Sequence, residues 1–179
     1  MPRLFVAVWP PAEVVEAVAA LERREVAGLR WTRPEQWHVT LRFLGWMEDV
    51  EGVSDALARV RTPAVEAVVG PAVGRFGQRV LHVPVDGLAD LAAEVVQLTA
   101  GMGEAPEDRP FAGHLTLARV ARGARVDLRP FAGQRVEGRW PVTELTLVES
   151  RLSPKGARYE VVARFTLDDV ISTTVEEGR

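Results

Sequence analysis

HVTLRFLG at residues 38–45 and HLTLARVA at residues 114–121 are nearly one word written twice. Both copies open on histidine, of which the 179-residue chain has only three, and both run His-x-Thr-Leu. They lie at an offset of 76 residues (114 less 38), and that offset holds well outside the words themselves. It lays Leu4 on Val80, the Pro10-Pro11 break on Asp86-Gly87, and one amphipathic stretch on another. A chance repetition of four letters would not carry its flanks along in register. The chain is therefore read as two copies of a strand–helix–strand unit, at about 4–45 and 80–121.

Hydrophobic periodicity fills in the units. LFVAVW (Leu4–Trp9) reads as a buried strand closed by two prolines, and Ala12–Val26 has the 3.6-residue spacing of an amphipathic helix. Trp37–Gly45, rich in β-branched and aromatic residues, reads as a second strand. Val50–Arg61 reads as a helix stopped by Pro63, and Ala64–Phe76 as broken strand or loop. In the second copy the spacing predicts a strand at Val80–Val85, a helix over Leu88–Gly103 and a strand over Phe111–Val120. Arg139–Leu152 and Arg158–Leu167 alternate like antiparallel strands around the turn signal SPKG. The expected fold class is α+β in a single bilobal domain spanning residues 1–179. Its two lobes of antiparallel sheet would be related by a pseudo-two-fold axis, with helices on the outer faces and a cleft between them.

Composition narrows the function. With 47% hydrophobic and 26% charged residues the chain belongs to the globular class. A net charge of -3 argues against a protein that wraps nucleic acid mainly through counterion release, while leaving room for a small or single-ended RNA. Absence of cysteine removes thiolate nucleophiles, disulfides and zinc–thiolate sites together. The N-terminal apolar run is short and ends at a double proline, and no stretch approaches bilayer length, so a cytoplasmic protein without membrane attachment is expected. It is also expected to be a monomer. Lys155 is the only lysine, which leaves arginine as the cation of choice.

Alternation along a strand puts His38 and Thr40 on one face, and His114 and Thr116 likewise. If the lobes face each other, two imidazoles and two hydroxyls converge on one spot. That set suits a phosphate: each threonine donates to a non-bridging oxygen, one histidine takes a proton from a nucleophile and the other gives one to a leaving group. A single His-x-Thr in a strand is usually just a half-buried strand residue, and it is the pairing within a repeat that favours chemistry. Symmetry leaves open which histidine is the acid. On parity, Arg42 shares the face of His38 and Thr40 and is expected to contact the phosphate or the RNA backbone, whereas Arg119, five residues after His114, reaches the cleft only through a bulge or a strand end. His82 falls on Val6 in the repeat, lacks a threonine two places on, and is read as structural. Trp31, Trp37, Phe43 and Trp46 are read mostly as core, although aromatics at such a site could stack on a base.

Taken together, the paired His-x-Thr words, the lead-in RWTRPEQWHVTLRFLG, the second word within PFAGHLTLAR and the pattern LVESRLSPKGARYEV resemble the 2H phosphoesterase superfamily. Within it, the resemblance is to the bacterial and archaeal RNA 2',3'-cyclic phosphodiesterases, also called 2'-5' RNA ligases, and it covers nearly the whole chain. It implies a bilobal α+β fold, no metal and no nucleotide cofactor. The implied reaction is hydrolysis of a ribose 2',3'-cyclic phosphate to a 2'-phosphate, with reversible 2'-5' joining as the same chemistry run backwards. It suggests His38 as proton donor to O3', His114 as proton acceptor from water, Thr40 and Thr116 on the phosphate, and Arg119 as its positive charge. The expected partner is RNA with a 2',3'-cyclic phosphate end, or a small cyclic nucleotide. A non-catalytic RNA-end-binding module, or a 2H enzyme for another cyclic or 2'-5' linked nucleotide, is the alternative. The family commonly carries proline before the second histidine; Gly113 stands here and would loosen the backbone at that point.

Overall fold

The computed structural model describes residues 1–154 and 156–168; Lys155 of the SPKG turn and residues 169–179 of the C-terminal tail lie outside the described residues. The described strands make two antiparallel sheets. In the first, β1 (Arg3–Val8) lies between β3 (Val39–Trp46) and β9 (Glu144–Ser153), with β10 (Gly156–Thr166) at one edge, in the order β10-β9-β1-β3. In the second the order is β2-β7-β6-β4-β8, from β2 (Leu29–Trp31), β4 (Val65–Val69), β6 (Val80–Asp86), β7 (His114–Val120) and β8 (Gly138–Val142), and β5 (Gly74–Phe76) also pairs with β6. This is the α+β arrangement that the periodicity implied.

Three details differ from the sequence expectation, each for a local reason. The first helix, α1, covers only Ala12–Ala19, because Glu22, Arg23, Arg24 and Glu25 offer no further apolar face and the chain must turn into β2. The broken 64–76 segment resolves into β4 and β5. The stretch 139–152 is two strands in different sheets, β8 and β9, with the chain crossing at Thr143. Pro141 is tolerated because β8 is an edge strand.

Of the helices, α1 and α3 (Ala89–Leu98) pack on strands, and α2 (Val50–Leu57) packs beside α3. The packing is crossed: α1 follows β1 of the first sheet yet packs on β8 of the second, while α3 follows β6 of the second yet packs on β3 of the first. A single apolar cluster accordingly runs through both halves, from Leu4, Val6 and Leu147 to Leu81, Leu115 and Trp140.

Register carries the detail that matters most for the site. Between β1 and β3 the pairing jumps from Ala7–Thr40 to Val6–Arg42, leaving Leu41 as an extra residue. Between β6 and β7 it jumps from His82–Thr116 to Leu81–Ala118, leaving Leu117 extra. Leu41 and Leu117 are separated by the repeat offset, so both motif strands carry a bulge at the same place. Each bulge reverses the alternation of the residues beyond it.

Candidate active site

The chain reaches β3 through a 3-10 turn at Pro34–Gln36 that ends two residues before the first histidine. His38 Nδ1 lies 2.7 Å from the Gln36 carbonyl and His114 Nδ1 lies 2.8 Å from the Ala112 carbonyl, again equivalent positions in the repeat. A carbonyl only accepts, so Nδ1 carries the hydrogen in both rings and Nε2 is left for the cleft. His38 Nε2 stands 3.1 Å from Thr40 Oγ1. Both histidines and both threonines line one cavity of about 200 Å³. Arg3, Thr32, Gln36, Arg119, Ser150 and Tyr159 add to its polar wall, and among the described residues no carboxylate lines it. The site is built for an anion.

The two imidazoles sit in unlike surroundings. His38 lies in an aromatic box, with ring centroids 4.8 Å from Phe5, 5.2 Å from Trp9 and 5.0 Å from Tyr159. Trp9 is fixed by its indole N–H, which donates to Thr146 Oγ1 at 2.9 Å. Burial in that box, with smaller contributions from His114 and Arg119, holds the His38 pKa down at about 4, against the raising effect of the Gln36 carbonyl. His114 is half-buried, 4.8 Å from Phe76 and 5.6 Å from His82. Its pKa is also lowered, by burial first and then by Arg119 and Arg109.

Arg119 and Arg42 exchange the positions that simple alternation gives them. The Leu117 bulge restores Arg119 to the cleft face, where it lines the cavity beside Thr116. The Leu41 bulge sends Arg42 to the opposite face. There it is buried, and its guanidinium donates to the carbonyls of Phe43 and Met102, each at 3.1 Å, and of Glu104 at 2.6 Å. The expectation that Arg42 contacts substrate is corrected accordingly: it is committed to the backbone of its own lobe. Phe43, the repeat equivalent of Arg119, takes the cleft position instead.

The other singled-out residues divide. Trp37 is fully buried, with its indole N–H donating to Thr32 Oγ1 at 2.9 Å, and Trp31 is half-buried against Phe131. Trp46, expected in the core, is 58% exposed because it falls at the strand end after the second irregularity in β3. His82 is buried, stacked on Phe76 at 3.8 Å, with room for its ring left by Gly74, and does not line the cavity. Burial and His114 hold its pKa at about 4. Gly113 is not loose: its carbonyl accepts the Val85 N–H at 2.8 Å, and a Cβ there would collide with the Val85 carbonyl oxygen.

Several lining residues lie outside the His-x-Thr words. Arg3 and Phe5 alternate on β1, Ser150 and Tyr159 are cross-strand partners on β9 and β10, and only their pairing brings them to the histidines. Thr32 ties the halves together. Its N–H donates to the bulged Leu117 carbonyl at 2.9 Å, and its hydroxyl lies 2.6 Å from the Thr116 carbonyl. One motif strand is thus anchored to the approach of the other.

Known proteins share this fold. The LigT like Phosphoesterase family matches residues 8–77 and 81–159. An RNA 2',3'-cyclic phosphodiesterase of Thermus thermophilus is 33% identical over 92% of this chain and 90% of its own length. A crystal structure of a Thermus thermophilus protein superposes with a TM-score of 0.74 at 31% identity, covering 93% of this chain and 98% of that one. Escherichia coli LigT complexed with 3'-AMP superposes with a TM-score of 0.72 at 28% identity, covering 93% and 98% of the respective chains. A match that takes in both His-x-Thr strands and spans nearly the whole chain has one meaning: the protein belongs to the LigT-like phosphoesterases.

Proposed function

We propose that the protein hydrolyses 2',3'-cyclic phosphate ends of RNA to 2'-phosphates by paired-histidine acid–base catalysis. The observation that carries this is the matched pair of imidazoles, each tied through Nδ1 to the carbonyl two residues upstream, with Nε2 left for one cavity that holds arginine and, among the described residues, no carboxylate. The relatives named for the same reaction, and the relative bound to 3'-AMP, point to a ribonucleotide phosphate as the anion.

In this reading the phosphate sits between the lobes, held by Thr40, Thr116 and Arg119. His114 Nε2 takes a proton from water as its oxygen bonds to phosphorus. The P–O3' bond breaks, and His38 Nε2 delivers its proton to the departing O3'. The product carries a phosphate on O2' and a hydroxyl on O3'. In the free protein Nε2 of His38 accepts from the Thr40 hydroxyl. Once His38 is protonated, that hydroxyl is released to turn toward the phosphate.

The roles are tested with a 2',3'-cyclic mononucleotide in EDTA, followed by phosphorus NMR. A 2'-monophosphate is expected; no turnover between about pH 5 and pH 9, the range over which histidine changes charge, would sink the reading. His38→Ala and His114→Ala should each lose roughly 10²-fold to 10⁴-fold. An aryl phosphodiester, whose leaving group needs no proton, should rescue His38→Ala but not His114→Ala. The opposite pattern reverses acid and base.

A further inference from the structure

Among the described residues, eight surface arginines of this chain stand beside a carboxylate. Arg24 pairs with Glu22, Arg33 with Glu35, Arg135 with Glu137, Arg139 with Glu66 and Arg164 with Glu144. A different arrangement occurs just past the ends of β6 and β7. A groove of about 860 Å³ opens between the β5–β6 turn and the 123–129 loop, lined by Arg75, Arg79, Arg125 and Arg129 and by one acid, Asp127. Arg129 engages Asp127 with two hydrogen bonds of 2.9 Å. Arg75, Arg79 and Arg125 have no carboxylate partner among the described residues.

The groove adjoins the cleft. The Val120 N–H donates to the Arg79 carbonyl at 2.9 Å, and the next residue pair along the ladder is Val80 with Arg119, the arginine of the cavity. On the other side Arg119 pairs with exposed Arg30. Arginines therefore stand on either side of Arg119 along the backbone ladder, on a chain whose net charge is -3. Like charges gathered at an exposed place repel one another and contribute no packing. Their planar forks suit phosphodiester oxygens.

We propose that this groove binds the sugar–phosphate backbone of the RNA strand whose end occupies the cleft, through Arg75, Arg79 and Arg125. The proposal rests on the reading of the cleft as an RNA-end site and extends it, because it makes the enzyme prefer a strand over a mononucleotide.

Two measurements test it. A labelled single-stranded oligoribonucleotide ending in a non-reacting 3'-phosphate is titrated by fluorescence anisotropy at several salt concentrations against the protein, the Arg75→Ala/Arg125→Ala variant and Arg139→Ala. In parallel, kcat/KM is measured on a 2',3'-cyclic mononucleotide and on an oligoribonucleotide with the same end. The double variant should bind the oligonucleotide about tenfold more weakly, the loss expected when a charge-assisted hydrogen bond is removed. Its salt dependence should flatten by about 1.4 in log–log slope, about 0.7 for each single-strand phosphate that is no longer neutralised. Its kcat/KM should fall on the oligonucleotide alone, and Arg139→Ala should match the parent. Unchanged affinity and slope in the double variant, or equal losses on both substrates, would overturn the groove. Absence of mononucleotide turnover in the parent protein would instead overturn the cleft reading, and the anisotropy titration decides the groove without any turnover.

Discussion

In the proposed reaction, the proton that moves through Nε2 of His38 and His114 is one that the free protein holds poorly. Burial, mutual repulsion and Arg119 all favour the neutral rings, with His38 at about 4 and His114 below its ordinary value. Productive catalysis needs one ring charged and one neutral. A phosphate anion between them reverses the local field and raises both affinities for protons. Since kcat/KM reports the free enzyme and kcat the complex, the two pH profiles should separate. The kcat/KM bell is expected to centre on the acid side of neutrality and the kcat bell at higher pH. Coincident bells would show that the bound phosphate does not retune the pair. Of this pair the sequence shows the identity and the equivalence, because His-x-Thr and its repeat are local patterns. The aromatic box was not visible: Phe5, Trp9 and Tyr159 come from distant segments, and no period links them to His38.

For the two motif strands, a single extra residue decides which arginine faces the cleft. Parity counted along the sequence assigns Arg42 to the cleft and Arg119 away from it; the bulges at Leu41 and Leu117 invert both. A bulge is a property of the pairing between two strands, and neither strand records it alone. The inversion predicts opposite defects. Arg119→Ala should leave stability nearly unchanged and lower kcat/KM by roughly 10²-fold, as for other donors to a developing anion. Arg42→Ala strands three carbonyls and should cost about 3 kcal/mol in chemical unfolding, with kcat largely kept in the folded fraction. Equal stability losses in the two variants would contradict the assigned faces. The sheet membership of β8 and β9 was hidden for a similar reason. An uninterrupted alternating run from Arg139 to Leu152 contains no mark of a change of partner, and Thr143 becomes the crossing point only when both sheets are in place.

Across the whole molecule, the buried neutral histidines link function to acid sensitivity. His38 and His82 have folded pKa values of about 4, below the ordinary 6.5 that they regain on unfolding. The unfolded chain therefore binds more protons between these values, and stability should fall as pH drops from about 6.5 toward about 4, with no contribution from either ring above that window. Thermal melts across this range test it: His82→Phe, which keeps a flat ring on Phe76 without a titrating group, should show a shallower acid-side decline than the parent. An identical decline would remove His82 from the account. The two-lobe plan was legible because each unit repeats its own spacing. The shared core was not, because nothing in a local pattern says that a helix will pack on the sheet of the other half.

That crossed packing bears on how the enzyme moves. Each half lends a helix to the other, α1 to β8 and α3 to β3, and Thr32 is stitched to the bulge of β7. A hinge needs two bodies joined by little; here, parting the lobes would pull both helices off their partners and open a common interior. The two walls of the cleft accordingly share one interior, and the slot between them is held by both helices at once.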